Sequence, residues 1–322
     1  MRAPAGAMPD TAQACQAMFD AKNDKTWRAA DGNVSVALPD GEVAWLFGDT
    51  HRKGAPFVHN SILVQEGHRL TSTTGGQAIP NDDNGDYFWP TDGLVDGGLL
   101  RVFVARVARV AGGGRTFEHR GVALVTFTFD SRGYPMYARH SDITRSSEDD
   151  GIQWGTAAVP DGGYVYVFGQ RRRQGQWIFG RDVYLARVPA GLVGNMSAWQ
   201  FWSGIGWGPD QSWAAPIERA ESGRFASNFS VDKVGEEWIA VSKHADIAGD
   251  HIIEMRAGSP IGPFMTTDSI RTPGGPGRWT YQAKGHSELP LASGRTLVTW
   301  NVGAAHPKRM GRNFNKPRCG EH

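Results

Sequence analysis

DGNVSVALPDGEVAWLFGDT, residues 31–50, reads as a single hairpin with an aspartate near each end. Asp31 opens an apolar stretch, Pro39-Asp40-Gly41 supplies the turn, and a second apolar stretch runs to Asp49. Antiparallel pairing brings Asp31 and Asp49 to the same end of the hairpin, opposite the turn. Neighbouring strands lie ~4.8 Å apart, so the two carboxylates are expected within several ångströms of each other. An aspartate before Gly or Thr is, by itself, ordinary turn chemistry, its side chain bonding its own backbone. Two at the matched ends of one hairpin suit acid–base hydrolysis of a glycosidic bond. That chemistry uses one carboxyl group to protonate the leaving group and a second as base or nucleophile. Asp31 and Asp49 are therefore the candidate catalytic residues.

Four further stretches repeat the pattern of a polar or aromatic start, a short strand, a small-residue turn and a more apolar strand. They are DGLVDGGLLRVFVARV, WGTAAVPDGGYVYVFGQ, NFSVDKVGEEWIAVSKH and HSELPLASGRTLVTWNV, and the five copies begin at Asp31, Asp92, Trp154, Asn228 and His286. The steps of 61, 62, 74 and 58 residues each have room for four strands with loops. A repeat of this length predicts an all-β fold, a five-bladed β-propeller. A β-sandwich accommodates the strands but not the spacing. If each hairpin forms the two inner strands of a blade, the five starting residues ring one axial pocket. Asp49, Gln170 and Asn301, at the ends of second strands, share that face. Residues 1–26, with one short helical stretch TAQACQAMFDAK, form an N-terminal segment, and residues 27–322 form the propeller.

Composition narrows the function. The chain has 322 residues, 40% of them apolar, with 42 Gly, 18 Pro and 12 Trp. That supports a sizeable core broken by many turns. With 34 basic and 33 acidic residues the formal charge is +1, not the basic excess of a nucleic-acid binder. No apolar run approaches the length of a membrane span. MRAPAGAMPDTAQACQ has no apolar core of the signal-peptide type, so an exported protein would leave by another route or have lost its signal. The two cysteines, Cys15 and Cys319, lack metal-site spacing. In an exported protein they would pair and tie the chain ends together; otherwise they are two free thiols.

Other residues fit a sugar pocket. FWPTDG sets Trp89 beside Asp92, and QWGT places Trp154 similarly; aromatic walls with polar neighbours suit the apolar faces and hydroxyl edges of sugars. KGHSE puts His286 and Glu288 two apart, on one side of a strand. NDDNGD, residues 81–86, resembles part of a calcium loop but lacks the full pattern and its terminal Glu, so it reads as an acidic turn; no cofactor is expected, and calcium is a weak possibility only. RRR at 171–173 and PKRMGR at 307–312 read as solvated loops.

WRAADGNVSVALPDGEVAWLFGDT followed by HNS, then FWPTDG, QWGTA, YVYVFG, VYLARVP, WQFWSG and YQAKGHSE, resembles a family once catalogued as domain of unknown function 4185. That family is now placed among the glycoside hydrolases, as family 183. The resemblance runs from Trp27 to Asn301. It implies a five-bladed propeller acting as an endo-D-arabinofuranase on the D-arabinan of mycobacterial cell walls, in arabinogalactan and lipoarabinomannan. It places the acidic pair on Asp31 and Asp49. With the hairpin reading it makes Asp92, Trp154, His286, Glu288 and Asn301 pocket residues, with Asn60 and Trp89 extending the groove. Ser287 stands where the family often has Pro, and Trp300-Asn301 where it often has Tyr-Asn. A polysaccharide substrate, a monomer, and a secreted or phage-delivered location are the matching expectations. A different sugar substrate, or a carbohydrate-binding propeller without chemistry, are the alternatives.

Overall fold

A computed structural model describes residues 6–21, 26–110, 117–173, 179–272, 278–304 and 317–322. PKRMGR falls outside them. Among the described residues, the strands form one two-stranded pair and five larger sheets. The pair joins β1 (Trp27–Ala30) and β4 (Thr50–Arg52). The first large sheet is β2 (Val34–Ala37), β3 (Val43–Phe47), β5 (Ser61–Glu66) and β6 (Arg69–Ser72). The second is β7 (Tyr87–Asp96), β8 (Leu99–Arg109), β9 (Phe117–Phe129) and β10 (Pro135–Thr144). The third is β11 (Gln153–Asp161), β12 (Tyr164–Arg171), β13 (Asp182–Pro189), β14 (Gln200–Trp202) and β15 (Trp207–Gly208). The fourth is β16 (Phe229–Val234), β17 (Glu237–Lys243), β18 (His251–Ala257) and β19 (Met265–Arg271). The fifth is β20 (Arg278–Gly285), β21 (Leu297–Ala304) and β22 (Arg318–Glu321). Every pairing within these sheets is antiparallel.

Each sheet packs on the next through its own apolar layer. Val36, Leu46 and Ile62 of the first sheet meet Phe88, Val104 and Val125 of the second. Leu94, Phe103 and Leu124 continue against Trp154, Val167 and Tyr184 of the third. Ala157, Phe168 and Leu185 pack on Phe229, Trp238 and Met255 of the fourth. Val241 and Ile252 then meet Ala283 and Val298 of the fifth. The last layer joins the ends: helix α1 (Ala12–Ala21) presents Cys15, Met18 and Phe19 to Trp45 and Leu63 of the first sheet and to Leu291 and Leu297 beside the fifth. Cys15 and Cys319 are joined by a disulfide, their Cα atoms 6.1 Å apart. Core side chains of this size each contribute about 1.5–3 kcal/mol when fully buried, so the successive layers set how the sheets stand against one another. The edge strands β2, β7, β11, β16 and β20 of the five sheets touch in that order. Hydrogen bonds from Asn33 to Thr299, and between Ser35 and His286, link the first sheet to the fifth.

Candidate active site

The first hairpin carries its aspartates where the turn geometry puts them. Gly48 N–H donates to Asp31 O at 2.7 Å, and Asp31 N–H donates to Asp49 O at 2.9 Å. The two residues are therefore main-chain partners at the open end. Their side chains take different partners. The Tyr281 hydroxyl, from β20, donates to Asp31 Oδ1 at 2.6 Å. Trp89 Nε1, from β7, donates to Asp49 Oδ1 at 2.8 Å, and His59 Nδ1 lies 3.0 Å from the same oxygen. Gly48 matters here because an added Cβ would meet the Trp89 ring at 3.3 Å; the indole lies against the glycine. On the other side, Gly32 (φ 76°) turns the chain and donates its N–H to Gln282 Oε1 at 2.6 Å. Gln282 sits at φ 53° within a break in the β20 register between Tyr281 and Lys284. A non-glycine residue held there costs on the order of 1–3 kcal/mol. The bulge separates Tyr281, which reaches Asp31, from Lys284, which reaches the interior.

Both aspartates line a cleft of about 1140 Å³. An aromatic chain runs along the Asp49 side. Phe57 contacts His51 and His59 with ring centres 5.1 and 5.2 Å apart, His59 stacks on Tyr87 at 3.7 Å, and Tyr87 leads to Trp89 and Phe117. Burial lowers the pKa of His51, with the charge of Asp49 opposing; burial, aided by Asp49, raises that of Tyr87. Phe57, Phe117, Phe179 and Ile247 line the cleft and are all exposed. Across the cleft stand Glu148, with Arg172 at 3.8 Å and Arg181 at 3.9 Å, and Asp246, with Arg181 at 3.8 Å. Arg172 and Arg173 are paired with acidic neighbours rather than loosely solvated.

The sequence-derived site divides. Asp31, Asp49 and Trp89 come together. Trp154 touches the cleft but is only 1% exposed, packing on Trp199 and Phe201 with its Nε1 donating to Gln211 Oε1 at 3.0 Å. It serves the core more than a sugar wall. Asn60 is fully buried and clamps main chain: its amide donates to Ile79 O and Phe88 O at 3.1 Å and accepts from Ile79 N at 2.7 Å. Asn301 is likewise buried and donates to Ala30 O at 3.1 Å. Neither Asn60, expected to extend the groove, nor Asn301, expected in the pocket, lines the cleft. His286 is buried between Ser35 and Thr299, 4.9 Å from the Trp45 ring.

Asp92 and Glu288 do not join the catalytic candidates. They line a separate cavity of about 310 Å³ with Asp232 and Lys284. The expected ring of five strand starts fails at two sheets for a definite reason. β7 begins at Tyr87, so Asp92 lies inside the strand, just past a bulge; β20 ends at Gly285, so His286 follows the strand rather than opening it. The corresponding positions at the cleft are Trp89, Trp279 and Tyr281. Within the second cavity, Lys284 Nζ donates to Thr91 O, Thr156 O and Phe229 O at 2.8, 3.1 and 2.6 Å. Burial lifts the Asp92 pKa to about 6 against the pull of Lys284. It lifts that of Asp232 to about 8, with Glu288 adding to the rise. Burial depresses Lys284, opposed by Asp92 and Asp232. Burial also opposes ionisation of Glu288, but His286 and Ser35 hold its pKa below the usual value. In the NDDNGD turn, Asp82 and Asp86 face the buried Arg106 guanidinium, which also pairs with Asp142.

The sequence reading missed His51, His59, Glu148, Asp246 and Tyr281. His59 lay within the HNS motif; the others carry no local signal and are delivered by distant strands and loops.

Many solved structures share this fold, and three illustrate it. A candidate hydrolase from Bacteroides ovatus ATCC 8483 matches with a TM-score of 0.73 and 18% identity, over 96% of this chain and 88% of that one. A family 43 glycoside hydrolase from Xanthomonas citri, complexed with xylotriose, matches at 0.56 and 13%, over 95% and 93%. The catalytic domain of a family 62 α-L-arabinofuranosidase from Coprinopsis cinerea matches at 0.52 and 9%, over 92% and 90%. Among curated proteins none matches the sequence. Residues 16–322 match the family described as domain of unknown function 5005, and the chain belongs to that family.

Proposed function

We propose that this protein is a five-bladed propeller glycoside hydrolase that cleaves internal D-arabinofuranosyl linkages of mycobacterial and actinobacterial cell-wall D-arabinan. The observation that carries the reading is the Asp31–Asp49 pair. Two carboxylates are held as main-chain neighbours, each side chain with its own donors, on one wall of a large cleft. In this reading one protonates the departing sugar oxygen and the other acts as base or nucleophile. Five sheets packed in succession, the last against the first, support the propeller. The fold shared with glycoside hydrolases supports glycosidase chemistry. The exposed Phe57, Phe117, Phe179 and Ile247 support contact with a chain of sugars, whose apolar faces stack on such side chains. The arabinan substrate rests on the motif resemblance to family 183.

The chemistry needs no cofactor, and the protein acts as a monomer on a polysaccharide. A Cys15–Cys319 disulfide fits an exported protein that works at a cell wall or is delivered there by a phage. The test is incubation with purified arabinogalactan and analysis of the soluble products. D-arabinose oligomers are expected. Release of another sugar would make it a different glycosidase, and retention without cleavage would make it a binding protein.

A further inference from the structure

On the glycan-cleaving reading above, we infer that Trp279 is a sugar-stacking residue of the cleft, holding one ring of the bound glycan against its indole beside Asp31. Trp279 and Tyr281 stand two apart on β20, in plain register with Gly303 and Asn301 of β21. Alternate residues of a strand share a face. Thr280, between them, is buried with its hydroxyl paired to Thr272, while Trp279 and Tyr281 both line the cleft. Tyr281 is the donor to Asp31 Oδ1. Two steps of a strand, ~6.7 Å, therefore separate the anchor of the indole from the residue that holds a catalytic candidate.

The indole lies flat on its cross-strand neighbour. An added Cβ on Gly303 would meet Trp279 Cε2, Nε1 and Cζ2 at 2.5, 2.6 and 2.8 Å. The middle atom of the three is the nearest, whereas an approach at the ring edge would bring the two flanking atoms nearer. Gly303 thus lies under the ring face, and any side chain there would push the indole away. The glycine is buried, and Trp279 is half-buried. With one face on the strand, the exposure that remains is toward the cleft.

The same device occurs in the third sheet, where an added Cβ on Gly169 would meet the Trp154 ring at 2.7 Å. There the outer face is filled, because Trp154 packs on Trp199 and Phe201. Trp89, on Gly48, is joined to Tyr87 and Phe117 and spends its Nε1 on Asp49. Trp279 differs from both. Among the described residues it belongs to none of the apolar layers that join the sheets. An indole already fixed from behind loses little freedom when a ligand settles on its front. A sugar ring offers an apolar C–H face with hydroxyls at its edge. A cation is also drawn to an indole face, but cleavage at the acid pair requires a sugar beside Asp31, so the occupant is a neutral glycan.

Trp279→Ala, Trp279→Phe and Gly303→Ala would each be placed in the Asp49→Asn background, so that ligand is not consumed. Calorimetry would measure binding of oligosaccharides from D-arabinan, L-arabinan and xylan, with tetramethylammonium as the cation probe, and thermal melting would give Tm. Trp279→Ala should weaken the best-bound oligosaccharide about tenfold, with Tm close to that of the parent, and Trp279→Phe should keep most of the affinity. Gly303→Ala lifts the indole from its seat and should also weaken binding, yet add nothing in the double variant with Trp279→Ala. Affinity within twofold of the parent in Trp279→Ala would overturn the subsite, as would tetramethylammonium binding that this variant abolishes while oligosaccharide binding persists. A parent that binds L-arabinan or xylan fragments but not D-arabinan would end the arabinan reading alone, provided that Trp279→Ala weakens those fragments. A parent that binds no glycan would end both.

Discussion

The open end of the first hairpin and the interior cavity below it both gather carboxylates, yet they behave as opposites. At the cleft, Asp31 and Asp49 are partly exposed, and each has donors from a different sheet. In the cavity, Asp92, Asp232 and Glu288 surround one lysine that is already spent on three main-chain carbonyls. Burial drives Asp92 to about 6 and Asp232 to about 8. The lesson is that perturbed carboxylates do not by themselves mark the chemistry. The cavity is the smaller by far, about 310 against 1140 Å³, and lacks the exposed aromatic wall. Its strained electrostatics serve the joining of sheets.

If that contrast is right, Lys284→Met should give the largest effect. It removes the cation that ties β20 to carbonyls of the second, third and fourth sheets, and leaves Asp92 without its nearby cation. Removing one member of a buried charged pair typically costs about 3–5 kcal/mol. A chemical-denaturation midpoint should fall accordingly; an unchanged midpoint would mean that the cavity is not structural.

At the cleft, Trp89→Phe keeps an aromatic ring but removes the donor to Asp49. A hydrogen bond to a charged group contributes roughly 1.5–3 kcal/mol, so kcat/KM on arabinan should fall by about tenfold or more, with Tm little changed. An equal loss of Tm would place Trp89 in the core instead.

A smaller, pH-dependent effect should come from Asp232→Asn. The folded protein holds the Asp232 proton to about pH 8, well above the ordinary carboxylate value of 3.8. The folded state then binds more protons than the unfolded one, so the contribution is fully present below about 3.8 and is lost as pH rises toward about 8. The asparagine variant should therefore gain Tm relative to the parent at pH 8–9 and show no gain at pH 4. The opposite ordering would contradict the burial argument.

The first hairpin was legible because all its signals are local: Pro39-Asp40-Gly41 turns the chain, and β2 pairs with β3 in plain register from Val34 to Leu46. The second repeat was misread because its first strand runs ten residues with a bulge between Pro90 and Asp92, which moves the cleft position upstream to Trp89. The fifth was misread because RWTYQAKG does not alternate cleanly and carries the left-handed Gln282. The stretch HSELPLASG, read as its opening strand, is the connection from β20 to β21. Tyr281 was out of reach of any local pattern, since it meets Asp31 across 250 positions of chain. Asn60 and Asn301 are polar residues near the expected pocket in the sequence, but main-chain groups claim their amides.

The central claim is tested most directly by comparing Asp31→Asn and Asp49→Asn with Asp40→Asn on arabinogalactan. Asparagine keeps size and hydrogen bonding but cannot exchange a proton. Asp40 lies exposed in the turn at the far end of the same hairpin. Loss of a general acid or base costs about 10²–10⁴ in rate. The account predicts at least a hundredfold loss in each of the first two variants, with Tm close to that of the parent, and near-normal activity for Asp40→Asn. Rates within a few-fold of the parent for both Asp31→Asn and Asp49→Asn would contradict it, and would return the pair to turn chemistry.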